Sequence, residues 1–283
     1  MKPEIDELIQ FSEQNPWRPR YPAQLVRRFL TALISSQHMI FDFHDGKGRA
    51  AVAVLLDKIN NPANDACFEI LGMRLDVDAA TLLTQFVDFA KQKTPRHRAG
   101  FQMALHADFA VGMDVLERLA LKPYYDTYKM RRVDLTGLRT HVIPEIEAAQ
   151  TLDRDQVYRV LCESFSQNPD TSIPDKESWG FLLSPLSHIY IWRRKGKIIA
   201  YADLVEDEEN HETEIRTIGV LPQFRGEGIG QALLHRCLSE SVRLGFESCQ
   251  LTVAVTNQKA LGLYLRSGFS VVEKYHCYRM DVK

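Results

Sequence analysis

Apolar positions in the second half of the chain alternate between two spacings. Residues 154–165 (RDQVYRVLCESF) repeat at helical spacing, and 188–205 (HIYIWRRKGKIIAYADLV) reads as two strands about a Lys-Gly turn. A strand follows at 213–221 (TEIRTIGVL), then a helix at 229–245 stopped by Gly245. Residues 249–255 (CQLTVAV) alternate, with Cys249, Leu251, Val253 and Val255 on one face. A short helix at 257–269 and a strand or hairpin at 270–282 close the pattern. The first half runs in the same order. Strands at 38–43 and 49–59 flank HDGKG, followed by a strand at 66–75, a helix at 78–92, a strand at 100–107, a helix at 111–121 and a closing segment at 123–133.

The same element order therefore occurs twice, with a period near 150 residues. The endings agree best: with a hairpin two residues shorter in the first copy, 116–130 lies over 264–280, which sets Leu116 against Tyr264, Arg118 against Arg266, and Ala120-Leu121 against Gly268-Phe269. The competing reading is two unrelated α/β halves. Either way the division is expected near 132–136, giving domains 1–134 and 135–283.

Composition narrows the function classes. The 283 residues are 45% hydrophobic and 25% charged, ordinary for a soluble globular chain, and a net charge of −2 argues against a broad basic surface for nucleic acid. The densest apolar run, AAVAVLL at 50–56, has strand length and falls far short of the roughly 20 residues of a membrane span. The start, MKPEIDELIQ, lacks the apolar core of a signal peptide. Five scattered cysteines show neither disulfide nor metal spacing, so reduced thiols, a cytoplasmic location and no metal are expected.

The candidate chemistry begins at residues 221–234, LPQFRGEGIGQALL, where Gly226, Gly228 and Gly230 precede a helical pattern. A helix N-terminus offers unpaired N–H groups and about half a positive charge, and glycines before it let an anion approach the backbone. Gly226 to Gly230 thus reads as a pyrophosphate cradle, with Arg225 able to add a charge-assisted contact. Gln231 breaks a G-x-G-x-x-G pattern, and no Gly-Lys-Ser/Thr is present.

Arg225-x-x-Gly228-x-Gly230, after a strand and before a helix, resembles the acetyl-CoA signature of the GNAT N-acetyltransferase superfamily. Asn257 after the next strand, Tyr264 on the short helix and Gly268-Phe269 at its end match that family in order. The resemblance covers about 136–283 and implies an α/β (α+β) fold, a mixed, mostly antiparallel sheet flanked by helices, with two strands splayed around the pantetheine. It also implies roles. Backbone groups of Ile218, Gly219 and Val220 meet the pantetheine and thioester; Arg225, Gly226, Glu227, Gly228, Ile229, Gly230 and Gln231 hold the pyrophosphate. Asn257 contacts the pantetheine arm, and Tyr264 protonates the leaving thiolate. Without a ligand, Asn257 is a turn or N-cap residue and Tyr264 a half-buried helix aromatic.

Direct transfer needs a neutral amine, and a lysine-like amine with pKa about 10.4 is less than roughly 0.1% neutral at pH 7. Glu214 is the candidate base, placed where several family members carry one, with Glu212 as the fallback. The alternative for Glu214 is an exposed position on a hairpin strand. The run EDEENHETE at 206–214 holds six acids in nine positions and reads either as a solvated hairpin loop or as a negative funnel for a cationic acceptor.

The first half lacks this equipment. Asp76 and Asp78 stand where a phosphate wants positive charge, the connection to the helix is about four residues shorter, Leu116 replaces Tyr264, and Phe109 stands opposite Asn257. The expectation is a tandem GNAT arrangement with a degenerate first copy. The chain reads as an acetyl-CoA-dependent N-acetyltransferase acting on a small-molecule or peptide amine, without nucleic-acid or membrane partners, and monomeric rather than dimeric. Alternatives are a transferase for another short acyl-CoA and a non-catalytic acyl-CoA sensor. Acceptor choice is expected to involve the loop at 166–178.

Overall fold

The computed structural model describes residues 5–14, 40–56, 59–60, 63–74, 76–138, 143–166, 173–176, 179–180, 187–208 and 210–282. The chain divides into two compact units, Met1–Thr127 with Glu273–Lys283, and Tyr128–Val272. Among the described residues no helix is long and apolar enough to cross a membrane.

The first unit contains α1 (Ile5–Gln14), β1 (Ile40–Asp45), β2 (Gly48–Leu56), a two-residue β3 (Ile59–Asn60), β4 (Asp65–Met73), α2 (Ala79–Lys93), β5 (Gly100–His106), α3 (Met113–Arg118) and the start of β6 (Lys122–Arg132). α2 buries Leu82, Leu83, Phe86, Val87 and Ala90, a stripe at helical spacing. It packs into a core where the Phe68 ring meets Phe86 edge-on at 5.2 Å and Phe101 at 5.5 Å. β1–β2 and β2–β4 are antiparallel, and β4–β5 is parallel.

The second unit takes the end of β6, then β7 (Ile146–Ala148), α4 (Arg154–Phe165), a two-residue β8 (Ile173–Pro174), β9 (Ser187–Arg194), β10 (Lys197–Asp207), β11 (Glu212–Val220), α5 (Ile229–Arg243), β12 (Cys249–Ala254), α6 (Gln258–Arg266) and the start of β13 (Ser270–Asp281). Its strand order is β6-β12-β11-β10-β9-β7. β9–β10 and β10–β11 are antiparallel, and β11–β12 is parallel. α5 turns Leu233, Leu234, Cys237 and Leu238 onto this sheet, and α4 supplies Val157, Val160 and Leu161.

Two irregularities occur in both units. Val52 pairs with Gly72 and Ala53 with Ile70, which leaves Leu71 as a bulge; Asp203 pairs with Thr217 and Leu204 with Ile215, which leaves Arg216 as one. Each parallel pair also stops early. β4 and β5 are in register only from Asp65/Gly100 to Phe68/Met103, and β11 and β12 only from Thr213/Cys249 to Ile215/Leu251. Beyond those rungs the strands part. The matched bulges and openings give the repeat a structural basis.

The boundary at 134/135 is corrected by the strand pairing. Tyr275–Asp281 of β13 pair antiparallel with His106–Gly100 of β5, so the last strand belongs to the first unit. The end of β6 lies beside β12 and belongs to the second. A tether holds the displaced strand: Arg279 Nε and Nη2 donate to the fully buried Asp65 at 2.6 and 3.1 Å, and Gln102 donates to the same carboxylate at 3.0 Å. Removing one partner of a buried pair strands the other charge. Arg279→Ala is therefore expected to cost about 3 kcal/mol, read as a lower midpoint of urea unfolding reported by a first-unit probe.

Candidate active site

The opening between β11 and β12 leaves residues 216–220 of β11 without a partner strand on that side among the described residues. Ile218, Gly219 and Val220, the predicted backbone contacts, line this stretch. Gly219 has a steric reason of its own, because an added Cβ would lie 2.7 Å from Cε1 of the buried Tyr201.

The glycine stretch closes the opening at the mouth of α5. Gly226 and Gly228 hold φ of +86° and +81°, a region costing an L-residue about 1–2 kcal/mol. Gly228 is the N-cap of α5 and provides no side-chain hydrogen bond, and the first intrahelical bond runs from Ala232 N–H to the Gly228 carbonyl. The first-turn N–H groups of Ile229, Gly230 and Gln231 thus lie ahead of the helical ladder with no side-chain cap. Among the described residues, no atom lies within 4 Å of a Cβ added at Gly226 or Gly228.

Arg225 is bound to the backbone on either side of the loop. Its Nε donates to the Val220 carbonyl at 3.1 Å and its Nη2 to the Ser164 carbonyl at 2.6 Å. It fastens the end of β11 and the loop to α4. Glu227 pairs with Arg194 at 2.8 Å, and the Arg194 guanidinium lies 5.2 Å from the centre of the Phe224 ring. Arg194 escaped the sequence reading. The RRKGK hairpin holds it, and only the β9–β10–β11 register brings that hairpin to the glycine loop.

Asn257 caps α6, its Oδ1 accepting from Ala260 N–H at 3.2 Å. About two turns further on, Tyr264 lies 6.0 Å from Phe269, ring centre to ring centre. Burial pushes its hydroxyl up to about 12, with the Cys237 thiol adding to the shift.

Glu214 is only 5% exposed, so the exposed-strand alternative is removed. It pairs across the parallel rung with Gln250, and its Oε2 has no hydrogen-bond partner among the described residues. Burial raises its pKa to about 8 against the pull of Arg216 and Lys129. Glu212 is less suited to proton transfer, because Arg131 Nε holds it at 2.7 Å and Ser248 lies 3.5 Å away. The acidic run divides between strand and turn, with Glu208 exposed at the turn. Asp207, Glu212 and Glu214 are buried, and Glu206 is paired with His188 at 2.6 Å. Most of the loop at 166–178 lies outside the described residues.

The matching place in the first unit is filled by its own side chains. Asp78 caps α2, accepting from Thr81 N–H at 2.8 Å. Asp76 is bound by Lys47 at 2.7 Å and Arg74 at 2.9 Å, which hold its carboxyl down at about 2. The path from the bulge at Leu71 to Ala79 is about five residues shorter than that from Arg216 to Ile229, so no room for a glycine turn remains. Leu116 and Phe109, opposite Tyr264 and Asn257, are both buried in the core.

The raised pKa of Glu214 carries a stability consequence. A carboxyl with a folded-state pKa above its unfolded value favours the fold while protonated. That contribution is complete below about pH 4.5 and is lost as pH rises through about 8. Wild type is expected to lose stability relative to Glu214→Gln across that window, by up to about 1.4 kcal/mol per pH unit. Paired urea titrations at pH 5 and pH 8 measure the difference.

Comparison with known proteins places this geometry. Residues 154–269 match the acetyltransferase (GNAT) family. The aminoalkylphosphonate N-acetyltransferase of Salmonella typhimurium is 30% identical over 137 residues, 46% of this chain and 89% of that protein. The mycothiol acetyltransferase of Jonesia denitrificans is 25% identical over 154 residues, 50% of this chain and 49% of its own. A solved tandem GNAT protein from the clavulanic acid biosynthesis pathway shares the fold with a TM-score of 0.66, covering 99% of this chain and 95% of its own at 10% identity. With its two copies of one splayed α/β plan, the chain belongs to the GNAT family and is a tandem-domain acetyltransferase.

Proposed function

We propose that the chain binds one acetyl-CoA, in the second unit, and passes its acetyl group directly to a small primary amine in a ternary complex. The observation that carries this reading is the contrast between two versions of one opening. At β11–β12 the helix behind begins with N–H groups that have no side-chain cap, next to two glycines that no other described residue crowds. At β4–β5 the Asp78 carboxylate already holds that position. A pyrophosphate fits the first and is repelled by the second.

When bound, acetyl-CoA supplies a thioester carbonyl open to attack by an amine. The N–H groups of Gly226 to Gln231 hold its phosphates, with Glu227 keeping Arg194 beside the loop. The unpaired edge of β11 at Ile218, Gly219 and Val220 takes the pantetheine amides and orients the thioester. Asn257 spends its Oδ1 on the helix cap, which leaves Nδ2 to donate to the pantetheine arm. Glu214 takes a proton from the acceptor ammonium, and a carboxylate with a pKa of about 8 is a far better base for that proton than an ordinary one. Tyr264 stays protonated at neutral pH and provides a proton for the departing thiolate. The relatives named for an aminoalkylphosphonate and for mycothiol support a small amine as acceptor.

Calorimetric titration with acetyl-CoA tests the reading, and one site per chain is expected. Two sites, or none, would overturn it. Tyr264→Phe is expected to keep acetyl-CoA affinity within about twofold while kcat falls about 100-fold. The rise in kcat/KM as pH passes through about 8 is expected to vanish in Glu214→Gln, measured by thiol release across a pH series.

A further inference from the structure

The bulge in β11 differs from its counterpart in β4 in one respect. The β4 bulge residue is the buried, apolar Leu71, whereas the β11 bulge residue is Arg216, bound in the sheet to Asp203. Arg216 Nη2 lies 2.5 Å from Asp203 Oδ2 and 3.1 Å from Ser187 Oγ, tying β11 to β10 and β9. The side chains are 8% and 6% exposed. The first unit shows that this bulge forms without an ion pair. A buried pair also adds little net stability over well-packed apolar residues. The pair therefore calls for a role other than building the bulge.

We infer that Arg216, braced by Asp203, is a positioning residue for the acetyl transfer: the bulge fixes its guanidinium near Glu214, where its charge steadies the carboxylate that receives the proton. This rests on the reading of Glu214 as the base. The other charged groups acting at this position are Asp203 and Asp207 on β10 and Lys129 on β6, while Glu212 on the same strand is paired with Arg131. β12 contributes the neutral Gln250, and α4, packed on β10 and β11, brings the Cys162 thiol toward Tyr201. Arg216 is the strongest of the charges that favour the Glu214 carboxylate, and Asp203 opposes it more weakly. His188 adds a further attraction to Asp203. Asp203 thus has two effects, holding the guanidinium in place and offsetting part of its charge.

The test is the pH profile of kcat/KM in the full chain, with acetyl-CoA affinity and circular dichroism confirming an intact site. Asp203→Asn leaves the guanidinium less neutralised, so the alkaline-rising limb is expected to move to lower pH. The double variant Asp203→Asn with Arg216→Gln removes both charges without stranding either one. Its limb is expected to move above the wild-type position by about one unit, the scale set by an opposite charge at this range. Shifts in opposite directions support the inference, since a merely structural pair would change activity without ordering the profiles this way. Unshifted limbs in both variants, with Glu214→Gln flat, would overturn the inference and leave the base assignment standing. A wild-type limb in Glu214→Gln would instead overturn the base assignment, and the inference with it.

Discussion

A strand inside a sheet has hydrogen-bonding groups on both edges, and those groups must be satisfied. In both units a parallel pair breaks off after a few rungs, leaving the longer strand with a bare edge where the sheet is otherwise continuous. The other features of the site follow from that break. The bulge turns the longer strand away from its neighbour, the helix that follows points its N-terminus at the gap, and the loop between them decides what the gap can accept. One architecture therefore becomes two different places through a handful of loop residues.

The two copies show that choice in energetic terms. In the first, Asp78 provides a carboxylate cap of the kind worth about 1 kcal/mol to a helix. In the second, α5 forgoes a side-chain cap and places two glycines in left-handed backbone before it. The first arrangement favours the fold by itself, while the second leaves donors free for something outside the chain. Stability given up locally in this way is characteristic of binding sites.

Much of this was legible in the sequence, because periodicity and turn residues are local signals. α4 falls on its expected residues 154–165, and the strands and helices around the glycine stretch differ only at their ends. Asn257 as a cap and the glycines as a turn were readable for the same reason. Long-range partners were not. Nothing in a strand's own pattern says which neighbour it pairs with, so β13 was assigned to the wrong unit. Six acids in nine positions look solvated until three neighbouring strands bury half of them. Arg225 gives no sign in the sequence of the Ser164 carbonyl that lies 2.6 Å from it. The helix at Ile5–Gln14 and the three-residue β7 gave no signal that the reading used.

The displaced last strand has a consequence for how the protein is made. The first unit emerges early, but the strand that pairs with β5 and the arginine that meets Asp65 lie far downstream, at 275–281. At about 5–20 residues per second, translation reaches them on the order of ten seconds or more after β5. Throughout that interval β5 has an open edge and Asp65 lacks its guanidinium. The usual order, in which an N-terminal domain is finished before the next begins, is closed to this chain. Its first unit is completed only by β13, so a nascent chain stalled midway holds an exposed sheet edge for chaperones to guard.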